Sequence, residues 1–267
     1  MWPLIARRAT APDFKNIRRL RVGEFGNLPI VVEAGEYTLA RVSEKKETYV
    51  LAKRGYRFGL TWETVVNDDL NAFGTVLVNM GRAARRTEDA VVIAVVLANA
   101  ALADTVALFH ATHANLASGG DVGAPSVVTF NKAFSSMGIQ HGLSADAYLN
   151  IQPSVILAPH ALRGTIGTML TSAFDPASNK GHVRNIYQGR LTEAYHAALD
   201  AASTTGWYLF ADPNVLAALE ACFLEGFEQP TLEEKETTNS DGREYLVRHV
   251  FAAAAIEHRA GYSNPGV

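Results

Sequence analysis

An uninterrupted stretch of helix-forming sequence, residues 67–98, constrains the fold more than any other feature of the chain. Asn67 and Asp68 suit the start of a helix, and Asp69 adds negative charge to its first turn. No proline interrupts the stretch, and roughly 32 residues at about 1.5 Å each predict a helix of about 48 Å. Such a helix is longer than a compact domain usually contains, and it suits a thin, flat molecule that packs edge to edge.

Small or apolar residues recur every seven positions along this predicted helix and form a stripe. The stripe consists of Leu70, Leu77, Ala84, Val91 and Ala98, together with Phe73, Met80, Thr87 and Ala94. Gly74 and Gly81 lie next to it, and each costs about 1 kcal/mol relative to alanine in a helix. We therefore expect another backbone to approach the helix closely at these glycines.

The composition indicates a globular chain with a sizeable core. Apolar residues make up 48% of the 267 residues, enough for one large domain or two modest ones. The formal net charge is −3, which argues against a general nucleic-acid binder. Cys222 is the single cysteine, so no disulfide can form within the chain, and a reducing compartment fits. No signal peptide or membrane-spanning run is evident, and we expect a soluble protein.

Two segments near the start carry charge without a strong apolar face. Residues 1–27 are basic and are punctuated by proline and glycine, which predicts an arm and not a core element; a solvated, mobile terminus is the alternative. Residues 30–62 predict a long β-hairpin, with strands over 37–42 and 48–58 and a charged turn at 43–47. An isolated hairpin is marginal in water, so this one either lies on the body of the protein or is held by a partner chain.

The remainder of the chain mixes predicted helices and strands. The predicted elements are a helix at 125–140, a buried strand at 153–159, a helix at 160–173, a surface loop at 174–190, a helix at 191–202 and a strand at 206–214. They are followed by a strand at 216–227, an open acidic segment at 228–241, a long strand at 243–256 and a closing segment at 261–266. This order predicts an α+β fold rather than regular βαβ units.

Motifs that mark enzymes are absent apart from one weak histidine pair. There is no serine-nucleophile elbow, no Walker A sequence and no dinucleotide-binding glycine motif. His110 and His113 are three residues apart, whereas zinc-binding pairs on a helix are usually four apart. We therefore expect no catalytic, cofactor or metal site, and a small metal-dependent enzyme that uses His110 and His113 remains an alternative.

Several stretches, in a fixed order along nearly the whole chain, carry a resemblance to a known family. Residues 58–73 run FGLTWETVVNDDLNAF, and residues 104–116 run DTVALFHATHANL. Residues 206–213 run GWYLFADP, and the chain closes with GREYLVRH at 242–249 and AIEHRAGYSNPG at 255–266. Together they resemble the major capsid proteins of tailed phages, in particular the Mu-like major head subunit group. The fold of that family is the Hong Kong phage-type capsid fold, which is shared with herpesvirus shells.

The resemblance implies an α+β capsid architecture in five parts. These would be an N-terminal arm at 1–27, an extended β-hairpin loop at 28–58, a first part of the peripheral domain at 59–147 with the spine helix at 67–98, an axial domain at 148–213, and the return strands of the peripheral domain at 214–267. The stripe of the long helix would then pack within its own subunit, and the two glycines would be contact points there. Many relatives carry a scaffolding segment before the arm that a protease removes. Because this chain begins at the arm, we expect a processed form or a separate scaffold.

The function implied by the resemblance is that of a major capsid protein and not an enzyme. It would self-assemble into pentamers and hexamers that form an icosahedral shell around packaged double-stranded DNA, without sequence-specific binding. Further partners would be a portal protein, a scaffold or maturation protease, and a decoration protein; no cofactor and no membrane are expected. Assembly would take place in the host cytoplasm, and the protein would reside in the virion. An encapsulin-type compartment that encloses protein cargo is the alternative with the same fold.

Contacts between subunits are expected from charged and aromatic side chains of the arm and the hairpin. The predicted contact residues are Arg18, Arg19, Arg21, Glu36, Tyr37, Arg41, Glu44, Lys45, Lys46, Glu47, Tyr49, Lys53 and Arg54. Some relatives crosslink a lysine of the extended loop to a neighbour's asparagine. No partner asparagine or assisting acid is identified here, so that activity is not assigned to this chain.

Overall fold

The computed structural model has mixed helices and sheets, and it describes residues 1–22, 30–31, 33, 44–67, 72–142, 148–176, 183–236 and 242–266. Within these ranges the α-helices are α1 (Trp62–Val66), α2 (Ala72–Ala98), α3 (Val127–Gly138), α4 (Arg163–Thr171) and α5 (Ala197–Ala202). The strands are β1 (Ala6–Ala11), β2 (Ile17–Val22), β3 (Glu44–Tyr49), β4 (Ala52–Thr61), β5 (Pro153–Ala158), β6 (Thr192–Tyr195), β7 (Trp207–Ala211), β8 (Leu219–Leu224), β9 (Thr231–Glu236), β10 (Gly242–Ala255) and β11 (Gly261–Asn264). The predicted α+β class is confirmed.

The long helix is present and is described from Ala72 to Ala98. Helix α2 has 27 residues, which corresponds to about 40 Å. A separate short helix, α1, precedes it, and the side chain of Thr61 caps α1 by accepting a hydrogen bond from the Thr64 backbone N–H. Asn67 lies at the C-terminal end of α1, so its predicted role as a cap of the long helix is wrong. Asp68 and Asp69 lie outside the described residues.

The buried face of α2 includes Met80 of the seven-residue stripe but departs from the stripe in the second half of the helix. In its second half Val92, Ile93 and Val96 are buried, whereas the stripe residues Ala94 and Ala98 are exposed. A seven-residue repeat drifts by about 20° per heptad around a straight α-helix, so the bulkier side chains on the neighbouring face reach the core instead. None of the helices in the described ranges is long and apolar enough to cross a membrane.

The glycines of α2 are not contact points. Gly74 and Gly81 are both exposed, and a Cβ placed on Gly81 would meet no atom within 4 Å. The expectation of a close backbone approach is therefore wrong. Close packing occurs in the sheet instead, where a Cβ on Gly55 of β4 would lie 2.4 Å from the backbone oxygen of Val247 on β10. Only glycine fits that position without a shift of the backbone.

A five-stranded sheet packs against α2 and is built around β10. The strand order is β1-β8-β10-β4, and β9 also pairs with β10. Antiparallel pairing joins β10 to β4 from Gly242↔Thr61 to Phe251↔Ala52, and to β8 from Phe251↔Phe223 to Ala255↔Leu219. The predicted strands at 216–227 and 243–256 are thus confirmed, with slightly different ends.

Strand β9 lies in the acidic segment that was predicted to be open. It pairs antiparallel with β10, from Arg243↔Glu236 to Arg248↔Thr231. Arg243 contacts Glu234 at 2.8 Å, and Arg248 contacts Glu233 at 2.6 Å. An acidic sequence can form a strand here because arginines of the neighbouring strand offset its charge.

The predicted hairpin over 30–62 is replaced by two different pairings. Strand β4 pairs along all ten of its residues with β10, a longer partner than a local hairpin could offer. Strand β3 pairs antiparallel with β2, from Ile17↔Tyr49 to Val22↔Glu44, and it covers most of the predicted turn at 43–47. The predicted strand at 37–42 lies outside the described residues.

The first eleven residues contribute Trp2, Ile5, Ala6 and Ala11 to the core, which corrects the prediction that residues 1–27 contain no core element. Strand β1 pairs in parallel with β8, from Ala6↔Leu219 to Ala11↔Leu224. Trp2 is buried, its ring centroid lies 5.5 Å from that of Phe223, and its Nε1 donates to Glu88 Oε2 at 2.8 Å. The apolar anchors are too few and too unevenly spaced to form a period in the sequence, so the strand was missed.

A second sheet, β11-β7-β5-β6, takes three of its four strands from the segment 148–213. The predicted buried strand at 153–159 is β5, and β7 lies within the predicted strand at 206–214. The predicted helix at 191–202 starts instead as β6, which pairs in parallel with β5, and only α5 is helical. The fourth strand, β11, comes from the closing segment that we assigned to the peripheral domain. Trp207 is fully buried at the centre of this region, 5.4 Å from the ring of Phe130 on α3.

The burial of Trp2 can be tested by comparing two tryptophans. Trp2→Ala should lower the free energy of unfolding of the isolated subunit by about 3–5 kcal/mol, because it removes a buried ring and a hydrogen bond to Glu88. Trp62 is 52% exposed, so Trp62→Ala should cost less than about 1 kcal/mol. Urea titration followed by circular dichroism measures both. Equal losses would contradict the placement of the N-terminal residues in the core.

Candidate functional site

The strands that carry most of the predicted contact residues form a ribbon outside both larger sheets. This ribbon, β2 and β3, is a separate two-stranded sheet. It brings together the predicted residues Arg18, Arg19, Arg21, Glu44, Lys45, Lys46, Glu47 and Tyr49. Lys53 and Arg54 lie apart from it, on β4 of the five-stranded sheet. Glu36, Tyr37 and Arg41 lie outside the described residues.

The two faces of the ribbon have different environments. Residues paired directly across an antiparallel ladder share a face, so Arg18 lies with Thr48, and Leu20 lies with Lys46. All four are exposed, and Leu20 has 54% of its surface open to solvent. The opposite face carries Ile17, which is buried. The ribbon therefore presents a face that carries Arg18, Lys46 and one exposed leucine, and it turns its other face toward the body.

A single buried carboxylate, Glu220 of β8, joins the ribbon to the body. Its side chain has no exposure to solvent, and it accepts hydrogen bonds from Arg7 Nη2 at 2.7 Å and Arg7 Nε at 3.2 Å. Arg19 Nε and the Tyr49 hydroxyl also donate to this carboxylate. Because Arg7 lies on β1, Arg19 on β2 and Tyr49 on β3, one carboxylate links four strands.

The charges of this cluster stabilise one another. Burial alone would raise the pKa of Glu220, but hydrogen bonds from Tyr49, Arg7 and Arg19 favour the carboxylate and hold its pKa below the ordinary value. Burial and the neighbouring carboxylate raise the pKa of Tyr49, so its hydroxyl keeps the proton that it donates. The cluster thus holds one negative and two positive charges at neutral pH.

Two more of the predicted contact residues bind within the chain. The carboxylate oxygens of Glu47 both accept from the Ala103 backbone N–H at 3.1 Å, which fixes the ribbon against the turn after α2. Arg54 Nη1 donates to the Phe251 carbonyl at 2.8 Å, and the guanidinium lies 4.7 Å above the Phe251 ring. Together with Arg19 and Tyr49, these side chains position the ribbon and β4. Their contact with another subunit stays a prediction.

The histidine pair does not form a joint site. His110 is exposed, and its Nδ1 accepts from the Thr112 backbone N–H at 3.1 Å, so it caps a short helical turn. His113 is buried, and its Nε2 lies 3.2 Å from Asp104 Oδ2. The two imidazoles thus serve different contacts, and the arrangement does not support a metal-dependent enzyme built on this pair.

Sequence reasoning missed Glu220 and Arg7 as site residues. The signal that could have found Glu220 is its place as an acidic residue inside the predicted strand 216–227, between apolar neighbours on both sides. A charged side chain on a buried strand requires a partner of opposite charge. The basic residues of the N-terminal segment had no assigned partner within the chain and were therefore candidates. The register that brings them together is not visible in the sequence.

Comparison with known proteins places the chain among phage capsids. The phage capsid protein family matches residues 44–264. The capsid structure of the cyanophage P-SCSP1u aligns with a TM-score of 0.64 at 8% identity, over 100% of this chain and 88% of that chain. A chain from Microbacterium phage Oxtober96 aligns with a TM-score of 0.61 at 10% identity, over 98% and 89%. One from Mycobacterium phage Adephagia aligns with a TM-score of 0.61 at 11% identity, over 100% and 89%. No curated protein matches significantly.

The chain therefore belongs to the phage capsid protein family. Its fold is the Hong Kong phage-type capsid fold, and its role is structural: it is a major capsid protein, a subunit of a tailed-phage head shell. The resemblance inferred from the sequence is confirmed at this level. The narrower assignment to the Mu-like group stays a prediction.

The contribution of Glu220 can be measured against an exposed acid. Glu220→Gln should lower the free energy of unfolding by about 1–3 kcal/mol, because the charge that binds Arg7 and Arg19 is lost while both arginines keep partial access to water. The control is Glu228→Gln, which breaks an exposed ion pair with Arg8 and should cost less than about 1 kcal/mol. Chemical denaturation of the two variants measures the difference, and similar losses would refute the anchoring role.

Stability contributed by Glu220 should decline in acid. Because the pKa is lowered in the folded state, the contribution is complete above the ordinary value of about 4.5 and is lost as the pH falls through the folded-state pKa. The difference in unfolding free energy between the wild type and Glu220→Gln should thus be constant from neutral pH to about pH 5 and shrink below about pH 4.5. A difference that grows on acidification would contradict this expectation.

Proposed function

We propose that the subunit assembles into pentamers and hexamers of an icosahedral shell, and that the ribbon reaches over a neighbouring copy of the chain. The observation that carries this proposal is the isolation of the ribbon. Within the described residues its strands pair only with each other, and the cluster around Glu220 holds it at the Ile17↔Tyr49 end. At six residues per strand it extends for about 20 Å to the Val22↔Glu44 end, from which residues 23–43 continue.

The energetics of a two-stranded ribbon support a partner. Two strands alone are marginally stable in water, because each strand forms backbone hydrogen bonds on one edge only and little apolar surface is buried. Leu20 remains exposed between Arg18 and the cationic Lys46. A neighbouring copy with an acidic or apolar surface would cover this face and complete its contacts. The predicted arm and hairpin residues thus keep their proposed role as subunit contacts, most directly those on the exposed face.

The segment proposed as the axial domain also carries exposed apolar side chains. Phe174, Val183 and Ile186 are between 46% and 53% exposed. An antiparallel bridge between Phe174 and Arg184 brings the backbone at Phe174 next to that at Val183. Exposed apolar side chains gathered in one region are typical of protein interfaces. We place this region near the centre of pentamers and hexamers, where copies of it would cover one another.

The remaining partners follow from the family and the charge. The shell encloses double-stranded DNA without sequence-specific binding, and a net charge of −3 suits a container that does not grip its contents. A portal protein, a scaffold or maturation protease, and a decoration protein complete the proposed set. Assembly takes place in the host cytoplasm, the mature subunit resides in the virion, and no catalytic step is assigned to the chain.

The segment between the two ribbon strands, residues 23–43, can be replaced while both strands are kept. Val22 and Glu44 pair directly, so a two-residue Asn-Gly turn in place of residues 23–43 would close the ribbon as a tight hairpin. The shortened chain should fold with an unfolding free energy close to that of the wild type, while the yield of shells falls at least tenfold. Sedimentation and electron microscopy measure assembly, and circular dichroism measures folding. Normal shells from the shortened chain would refute an assembly role of residues 23–43, and normal shells from Leu20→Glu, which places a charge on the exposed face of the ribbon, would refute the intersubunit role of the ribbon itself.

The contents of the shell distinguish the two uses of the fold. Shells from phage-producing cells should contain double-stranded DNA that is protected from added nuclease. A protein cargo in place of DNA would favour the encapsulin-type compartment instead.

A further inference from the structure

Three side chains that can bind a metal ion converge where two distant segments meet. Asp104 and His113 lie in the turn region that follows α2, and His258 lies between β10 and β11. One ligand atom from each of the three lies within 4.8 Å of the others. Their separation along the chain gives no motif, so the sequence did not reveal the cluster. The proposed shell function does not use it.

The contacts of His113 suit a metal ligand. Its Nδ1 lies 3.2 Å from the Leu108 carbonyl oxygen, and its Nε2 lies 3.2 Å from Asp104 Oδ2. Both neighbours are acceptors, whereas a neutral imidazole has only one N–H to donate. An ion pair between His113 and Asp104 satisfies both contacts, and so does a metal ion bound by Nε2 and the carboxylate, with the Nδ1 proton donated to Leu108. Metal-binding histidines usually have such a carbonyl partner on the second nitrogen.

Surrounding hydrogen bonds hold the two segments in place. The Asn115 side-chain amide donates to the Leu108 carbonyl at 2.8 Å and to the His258 carbonyl at 2.9 Å. Its neighbour Ala117 donates its backbone N–H to the Ser263 carbonyl at 2.9 Å. The backbone around His113 and His258 is therefore held in place before any ion binds, which favours a site of useful affinity.

We propose that Asp104, His113 and His258 bind one divalent transition-metal ion, for which Zn²⁺ is the best fit. Two imidazoles and a carboxylate are ligands that Zn²⁺ prefers, and three protein ligands leave one position for water. An ion at the centre of the three atoms would lie within about 2.8 Å of each, whereas zinc–ligand bonds are about 2.0–2.2 Å. The ligand atoms therefore lie within about 1 Å of bonding distance from this centre, and the ring of His258 must also turn.

One rearrangement accompanies binding. The rings of His113 and His258 are stacked almost parallel, with centroids 3.9 Å apart. Because a metal ion lies in the plane of each imidazole that binds it, the His258 ring tilts out of the stack. Both histidines line a cavity together with Tyr148 and Arg259, which gives the ion access from solvent. The charge of Arg259 is offset by Glu257 at 2.8 Å, so it does not exclude a cation.

The bound ion would join the turn after the long helix to the segment that leads into the last strand. A link between segments this far apart in the chain stabilises the folded subunit, because the ion binds only when both segments are in place. The site thus has a structural role within each subunit, and it is independent of how the subunits contact one another.

The test uses the full-length chain without an affinity tag, treated with EDTA and dialysed. Titration calorimetry with ZnCl₂ should give one ion per chain, and thermal unfolding should shift upward with zinc. Asp104→Asn and His258→Gln should each weaken zinc binding at least tenfold. His110→Gln is the matched control: this exposed histidine lies three residues from His113 but outside the cluster, and its loss should leave zinc affinity unchanged.

Substitution with Co²⁺ tests the wild type even where a variant folds poorly, because cobalt bound by four ligands gives strong visible absorption. Loss of that absorption on adding Zn²⁺ would support a shared site. The proposal is overturned if the wild type binds no stoichiometric zinc, if both cluster variants bind as tightly as the wild type, or if His110→Gln abolishes binding. Zinc binding and shell assembly are measured independently, because sedimentation of the same protein reports assembly.

Discussion

The position of the ribbon depends on one buried charge. A carboxylate without access to water is costly unless oppositely charged and hydrogen-bonding groups surround it, and Glu220 receives three such groups from β1, β2 and β3. Each partner lies on a different strand, so the requirement to satisfy one side chain fixes the relative placement of all of them. The ribbon is consequently oriented at its base by this charge cluster together with the apolar packing of Ile17.

Two long elements give the subunit its frame. Helix α2 and strand β10 pack against each other, and β10 pairs with three further strands along its fourteen residues. A buried core continues from this layer into the second sheet, from Ile93 of the helix to Ile156 and Phe210. A close-packed core has low compressibility and transmits strain between its side chains. The frame is thus rigid, and the ribbon, which we propose to contact other subunits, is attached at its margin.

Sequence patterns predicted the elements whose signals are local. The long helix, the β-branched run of β5 and the strand β10 each carry enough periodicity or propensity to be placed within a few residues, and the resemblance supplied the fold. Pairing partners were not predictable in the same way. Strand β4 pairs with the distant β10, and β1 joins the core through a few apolar anchors. Strand β9 forms because Arg243 and Arg248 offset its acidic side chains. The partners of Glu220 and His113 were hidden for the same reason, since they are set by the meeting of distant segments.

The parallel pairing of β1 with β8 has a consequence for when a subunit becomes competent. Strand β1 leaves the ribosome long before its partner, which ends at residue 224, and before the carboxylate that orients the ribbon, at residue 220. Contacts between segments this far apart form late, because both must be synthesised and the intervening chain must close as a loop. A nascent chain therefore cannot orient its ribbon until residue 220 has been made.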